Sequence, residues 1–408
     1  VRESTKNITT RLPFYLLLYM LNFEVINPTR IVFGKEQLNR LPELVGEFSP
    51  SKKIMLAYGG GSIEKTGLLT NLLNALAGFE VVLFGGIEAN PQYATLMKGV
   101  ALAQEKQIDF ILAVGGGSVI DGVKFMTGAF HYAGEAWDVL DRKPGCDFLK
   151  ALPFGTVLTL PATGSEANSG AVISREETKE KRTMGGPLFF PKFSFCDPSL
   201  IATLPKRQLA NGITDAFMHT LEQYITYPTD NLLQERQAEG ILLTLIEIAE
   251  KVIENPADYR LASNLMWSAT HALNGNLRCG VPTDWVTHMI GHELTAIYGI
   301  DHARTLAIIA PRLYENQFET KKEKLAQYGK RVWNLTGSDD EIAHEAIRQT
   351  EAFFNRLGIE TKISNYSTDT DTIAAEIKKR FEDRSWLTMG ERGVITPTHV
   401  AQIVTAAI

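Results

Sequence analysis

Asp215 and His219 stand four residues apart in a segment with helical periodicity, so one face of that helix would present a carboxylate and an imidazole together. A second cluster, His288-Met289-Ile290-Gly291-His292, puts two imidazoles on one helical face, and a turn near Gly299 brings His302 back towards them. Four of the eight histidines therefore fall in two compact groups. One carboxylate with three imidazoles suits a borderline divalent ion, Fe2+ or Zn2+, and leaves a coordination position open for a substrate oxygen. Spacing alone leaves open which imidazole stays out. The run from His292 is not H-E-x-x-H, because Ala296 occupies the second histidine's place, and a metalloprotease is disfavoured.

A second chemistry is written in glycine. Gly115-Gly116-Gly117-Ser118 follows an apolar run and precedes a helical segment, so backbone N–H groups and a helix N-terminus would meet a pyrophosphate there. The run is neither G-x-G-x-x-G nor a Walker A sequence, and a plain tight turn is the rival reading. Tyr58-Gly59-Gly60-Gly61-Ser62 ends an earlier apolar run, and no acidic residue stands there before Glu64. An acidic side chain at that point would take the ribose 2′-hydroxyl of NAD; its absence, with Ser62 and Lys65 nearby, favours NADP. Thr159-Leu160-Pro161-Ala162-Thr163-Gly164-Ser165-Glu166 offers hydroxyls around a glycine at a strand exit, within reach of a diphosphate and a nicotinamide ribose. An ordinary capped turn fits that octamer as well.

The elements that must position these residues read as α/β followed by all-α. Short apolar runs at 54–58, 81–84 and 110–114 have the β-branched and aromatic content of buried parallel strands, with helical crossovers at 68–76 and 93–105. After Leu204-Pro205 the periodicity turns helical, at 207–225, 234–253, 258–273 and 343–357. With 408 residues, two domains are expected, each with its own core: 22–203 for the dinucleotide and 204–408 for metal and substrate, after an atypical extension at 1–21. Arg11 and the apolar run 12–21 loosely resemble an export signal, but the run is too short to span a bilayer and lacks a cleavage site, and Met20 offers an alternative start.

Bulk composition narrows the partners. Hydrophobic residues at 44% and charged residues at 22% describe a globular chain, and a net charge of −6 gives no reward to nucleic acid or an anionic membrane. A small-molecule substrate is expected instead. Cys146, Cys196 and Cys279 are odd in number, far apart and without a C-x-x-C pair, so neither a disulfide framework nor a cysteine metal site is expected, and the reading is cytoplasmic.

Taken jointly, these motifs resemble the iron-containing, group III alcohol dehydrogenase family, in its NADP-dependent aldehyde reductase and butanol dehydrogenase branch. The similarity runs from about Asn22 to the C-terminus and includes Asn27-Pro28-Thr29-Arg30 and Asn211-Gly212-Ile213-Thr214-Asp215. The resemblance implies an N-terminal Rossmann-like domain with a parallel sheet and a helical C-terminal domain, the dehydroquinate synthase-like architecture. It further implies one metal held by Asp215, His219, His288 and His302, with His292 left out of the ligand set as a proton relay. By the same resemblance Gly115 to Ser118 and Asp121 contact the cofactor, Thr159, Thr163 and Ser165 form the phosphate and nicotinamide loop, Lys181 contacts the nicotinamide ribose, and the molecule is a homodimer. The expected reaction is hydride exchange between NADP(H) and a small aliphatic alcohol or aldehyde.

Three rivals keep part of this evidence. A dehydroquinate synthase-type lyase, or a polyol phosphate dehydrogenase, needs several cations for an acidic substrate, whereas 273–299 supplies only Arg278. A polyol or other dehydrogenase of the same fold remains closest. A non-catalytic nucleotide sensor would bind NADPH without oxidising it against any aldehyde. Trp267, Leu273, Val281 and Trp285 read either as a hydrophobic substrate channel or as helix core.

Overall fold

The apolar runs of the first half become strands of one parallel sheet in the computed structural model, which describes residues 19–408. Most of the apolar run at 12–21, on which the export question turns, lies outside the described residues. Chain order is β1 (Arg30–Phe33), α1 (Leu41–Gly46), β2 (Lys53–Tyr58), α2 (Ser62–Lys65), α3 (Leu68–Ala75), β3 (Glu80–Phe84) and α4 (Tyr93–Glu105). It continues with β4 (Phe110–Gly116), α5 (Gly117–Ala129), α6 (Ala136–Leu140), β5 (Phe154–Leu160), β6 (Ala171–Arg175), β7 (Glu180–Met184) and β8 (Phe193–Cys196).

Sheet order is β1-β8-β5-β4-β2-β3 with every pair parallel, while β6 and β7 form a separate antiparallel hairpin. From β2 the chain moves outward to β3 and returns to β4 on the other flank of β2, so strand order reverses between β2 and β4. Such a reversal opens a crevice at the carboxyl ends of the two strands. Tyr58 pairs in register with Val114, and both glycine runs lie directly beyond that pair.

Alternation along the strands sends side chains to two faces. Ile54, Leu56, Phe110, Leu112 and Val114 pack with Leu41 and Leu44 of α1 and Leu68 and Leu72 of α3. Met55, Ala57, Ile111 and Ala113 face the opposite way, against Ile120 and Val123 of α5, in a cluster that continues into the helical half. Two cores are therefore present, but the sheet divides them rather than the expected domain boundary. This continuity fixes the cleft: helices of the second half pack on the same sheet face as α5.

The second half is helical, as its periodicity predicts: α7 (Lys206–Tyr224), α8 (Leu232–Glu254), α9 (Tyr259–Ala272), α10 (Val286–Tyr298), α11 (His302–Asn316), α12 (Phe318–Arg331), α13 (Asp339–Arg356), α14 (Ile373–Asp383) and α15 (Pro397–Ala406). Behind α10, Lys321 of α12 donates to Asp284 Oδ2 at 2.8 Å, to both Glu391 oxygens at 3.1 Å and to the Ile225 carbonyl at 3.0 Å. No described helix is long and apolar enough to cross a membrane.

Candidate active site

Helix α7 carries one face of polar residues into the cleft. Asn211 Nδ2 and Arg207 Nε each donate to Asp301 Oδ2 at 2.8 Å, which ties the turn between α10 and α11 to the start of α7. Gly299 ends α10 with φ 67°, the left-handed conformation that favours glycine at such a stop. His302 opens α11 three residues after Gly299 and comes to Asp215, one further turn along α7 from Asn211, with Nε2 3.7 Å from Oδ1.

Asp215, His288 and His302 each place one donor atom within 4.8 Å of the other two. His219 stands beside them: its ring stacks on His288 at 4.8 Å between centroids, and its Nδ1 lies 3.8 Å from Asp215 Oδ2. Side-chain atoms of these same four residues, Asp215 Oδ1, His219 Nδ1, His288 Nε2 and His302 Nδ1, are buried without hydrogen-bond partners. Buried polar atoms are ordinarily paired, so unpartnered atoms on four neighbouring side chains, three of which place a donor atom within 4.8 Å of one another, mark a place for a ligand. Burial pushes the His288 imidazole down to about 4, and lowers His219 and, strongly, His302. Neutral imidazoles and one carboxylate form a donor set that fits a divalent ion.

His292 lies on the same side of α10, its ring centroid 5.0 Å from that of His302 and 6.3 Å from that of His288. Burial, and then the charge of Lys181, holds it neutral far below its ordinary pKa. Lys181 arrives from the start of β7 and donates to Asn90 Oδ1 at 3.0 Å. Its ammonium is buried and pushed down to about 8, with Asp121, Asp215 and Glu293 partly restoring its charge. The hairpin that carries it is anchored by α14, where Arg380 donates to the Lys179 carbonyl at 2.8 Å and to Glu293 of α10 at 3.2 Å.

The cofactor residues divide into two kinds. Gly59, Gly60, Gly61 and Ser62 form the exit of β2. Gly61 has φ 85°, and a side chain at Gly60 would meet nothing. Glu64, the first acidic residue after β2, accepts from the Tyr58 hydroxyl at 2.9 Å. Gly115 and Gly116 end β4, while Gly117 and Ser118 open α5. A Cβ on Gly117 would overlap the Thr163 side chain, so its absence lets the β5 loop close on the β4 loop. Thr159 is partly exposed at the end of β5.

Asp121 and Ser165, in contrast, are engaged with the protein itself. Ser165 Oγ donates to Asp121 Oδ1 at 2.6 Å, Val172 N donates to Asp121 Oδ2 at 2.9 Å, and Lys124 Nζ donates to Ser165 Oγ at 2.7 Å. Lys124 also reaches Asn168 Oδ1 and the Gly170 carbonyl, and Asn168 Nδ2 in turn donates to the Leu273 carbonyl at 3.1 Å. These groups set the loop and tie it to α9. Of the four residues read as a channel, Trp285 packs edge-on against His288 at 5.4 Å, while Trp267 is half exposed against Phe33 and His271. Sequence reading missed Lys124, Asn90 and Glu222. Only Glu222 carried a signal, its spacing of three from His219 and seven from Asp215 on one helical face.

A carboxylate and imidazole cluster facing glycine loops at a strand-order reversal defines a class, and the comparisons agree with it. Residues 28–198 match the model of the iron-containing alcohol dehydrogenases, and residues 209–408 match that of the Fe-containing alcohol dehydrogenase family's C-terminal domain. The chain belongs to the iron-containing alcohol dehydrogenase family. It is thereby an oxidoreductase, a metal-dependent alcohol dehydrogenase or aldehyde reductase. Among its relatives is the NADPH-dependent aldehyde reductase YqhD of Escherichia coli, 49% identical over 380 residues, which are 92% of this chain and 97% of that one. The crystal structure of that protein superposes with a TM-score of 0.92, covering 96% of this chain and 100% of the other. A probable NADH-dependent butanol dehydrogenase of Bacillus subtilis is 42% identical over 87% of this chain and 93% of its own length.

Proposed function

We propose that this protein reduces small aliphatic aldehydes, and oxidises the matching alcohols, with NADP(H). Asp215, His219, His288 and His302 hold one divalent ion, Fe2+ or Zn2+, and the observation that carries this is the grouping of Asp215, His288 and His302 donor atoms within 4.8 Å, with His219 beside them and a buried unpartnered polar atom on each of the four. When bound, the ion supplies Lewis acidity towards the substrate oxygen and the dinucleotide supplies hydride. The protein's own groups do the rest. Backbone N–H groups at Gly59–Ser62 and Gly115–Ser118 face the crevice where phosphates are bound, with Thr159 and Thr163 beside it. Gly60, open to space, leaves room for the extra phosphate of NADP. Asp121 and Ser165 position the third loop. His292, held neutral and part-buried beside His302, can accept or return a proton at a ring nitrogen next to the metal cluster.

The division into 22–203 and 204–408 is proposed as the dinucleotide and metal portions. A homodimer is proposed through β1, whose outer edge is unpaired among the described residues and flanked by exposed Phe23, Val25 and Ile26. The three cysteines are free, which accords with a cytoplasmic setting.

The test follows absorbance of the reduced nicotinamide with NADPH against NADH over a series of short aldehydes. Turnover with NADPH preferred is expected; stoichiometric NADPH binding with no oxidation by any aldehyde would favour the sensor.

Lys181 gives this reading a pH signature. An anionic cofactor bound beside its ammonium raises the pKa from about 8, so binding is strongest with Lys181 protonated and weakens as pH climbs through that value. One proton linked to binding changes affinity by up to about tenfold per pH unit, so the NADPH Kd of the parent should rise above about pH 8. In Lys181→Met the Kd should be weaker and flat over that window. A parent Kd that stays constant or tightens there contradicts the contact.

A further inference from the structure

One buried carboxylate beside the cluster belongs to neither the proposed metal set nor the cofactor loops. Glu222 lies on α7 at the spacing Asp215, His219, Glu222, so all three side chains share one stripe of the helix. Its side chain is 2% exposed and hydrogen-bonds through Oε2 to Nδ1 of His288. Its second oxygen, Oε1, accepts the backbone N–H of Thr287 at 2.9 Å and lies 3.4 Å from that of His288. These are among the first N–H groups of α10, a helix whose N-cap residue, Trp285, makes no side-chain cap. The backbone of Glu222 takes part too, its carbonyl accepting Asp284 N at 2.8 Å. One residue of α7 thus holds both the start of α10 and the ring orientation of the histidine that α10 delivers.

With Nδ1 engaged, Nε2 of His288 is the nitrogen left free, and it is buried with no partner. We infer that Glu222 is a positioning residue for metal binding: it fixes the His288 tautomer with hydrogen on Nδ1 and turns Nε2 towards Asp215 and His302. The inference rests on the proposed metal site and deepens it. A carboxylate behind a ligating imidazole typically raises affinity for the ion by about 10- to 100-fold, through orientation and through added basicity at the coordinating nitrogen. Glu222→Gln preserves volume but replaces one acceptor by an NH2 group, which must face either His288 Nδ1 or the N–H of Thr287, a donor against a donor.

The experiment titrates Co2+ into metal-free parent, Asp215→Ala and Glu222→Gln proteins, following the visible ligand-field bands. Melting of the metal-free proteins and NADPH binding serve as controls. The parent should bind one equivalent and Asp215→Ala none. Glu222→Gln should bind tenfold or more weakly with altered bands, while its NADPH Kd stays within twofold of the parent value. A parent that takes up no Co2+ sinks the metal site and this inference with it. Tight parent binding lost in Asp215→Ala but unchanged in Glu222→Gln, bands included, overturns the positioning role alone. Loss of NADPH binding in step with Co2+ in Glu222→Gln also overturns it, since a general packing role would then account for both.

Should Glu222→Gln fail to fold, the parent alone decides. In Zn2+-loaded protein with 15N-labelled histidine, a strongly downfield Nδ1–H assigned to His288, with Nε2 coordinated, is the expected signature. Coordination through Nδ1 overturns the inference.

Discussion

Asp215→Ala and His288→Ala should each yield a protein that binds NADPH normally but holds no metal and turns over no aldehyde. Asp215 supplies the single carboxylate of the cluster and His288 an imidazole whose free nitrogen faces it. Removing either takes one donor from the proposed set of four, and removing Asp215 also takes away its single carboxylate. If the polarising ion contributes several kcal/mol to the transition state, at 1.36 kcal/mol per factor of ten, kcat/KM should fall by about a thousandfold or more. Metal content by elemental analysis and NADPH binding by fluorescence, measured on the same samples, separate this outcome from unfolding. Loss of turnover with metal retained would point to a different role for these side chains, and full turnover in a metal-free variant would reject the mechanism.

Gly117→Ala should strike the other half of the site. The added methyl would overlap Thr163 across the junction of the β4 and β5 loops. Thr163 cannot readily move away, because its loop is held by Lys124 through Ser165 and by Asn168 to the Leu273 carbonyl. Overpacking of this kind costs about 1–3 kcal/mol, so we expect a lowered melting temperature and an NADPH Kd raised by about tenfold or more, with metal content unchanged. Thr163→Ala in the same chain should return the lost stability, the mark of coupling between neighbours. Gly117→Ala with parental stability and NADPH affinity would show that the loops do not need that close approach.

Most of the fold could be read in the sequence because its signals are local. The runs at 54–58, 81–84 and 110–114 are β2, β3 and β4 to within a residue or two, and the helical periodicities after Leu204 become α7, α8, α9 and α13. β1 and β8 escaped because each is four residues long, and the hairpin of β6 and β7 because Glu180-Lys181-Arg182-Thr183-Met184 is polar. The line between the two cores was not legible for a different reason. Periodicity tells which residues point the same way, not which element lies opposite, and here the helical half covers one sheet face.

The site shows the same limit. Asp215 and His219, or His288 and His292, are helical neighbours and visible as such. That His302 meets Asp215 depends on Asp301 being held by Arg207 and Asn211, a contact between residues about ninety positions apart. Asp121 and Ser165 are implied as cofactor residues by resemblance, and the geometry also engages them with Lys124, Val172 and each other. A sequence motif records that a residue is needed near the cofactor. Whether it touches the ligand or holds the loop that does so depends on a distant partner, here a buried lysine.

Anomalous diffraction at the absorption edge of the bound metal, from crystals of protein loaded with Fe2+ or Zn2+ and NADPH, tests the account most directly. A single peak within bonding distance of Asp215, His219, His288 and His302, on the side of the crevice that receives the nicotinamide, is the predicted result. A peak elsewhere, or none at those four side chains in metal-replete and active protein, would contradict it.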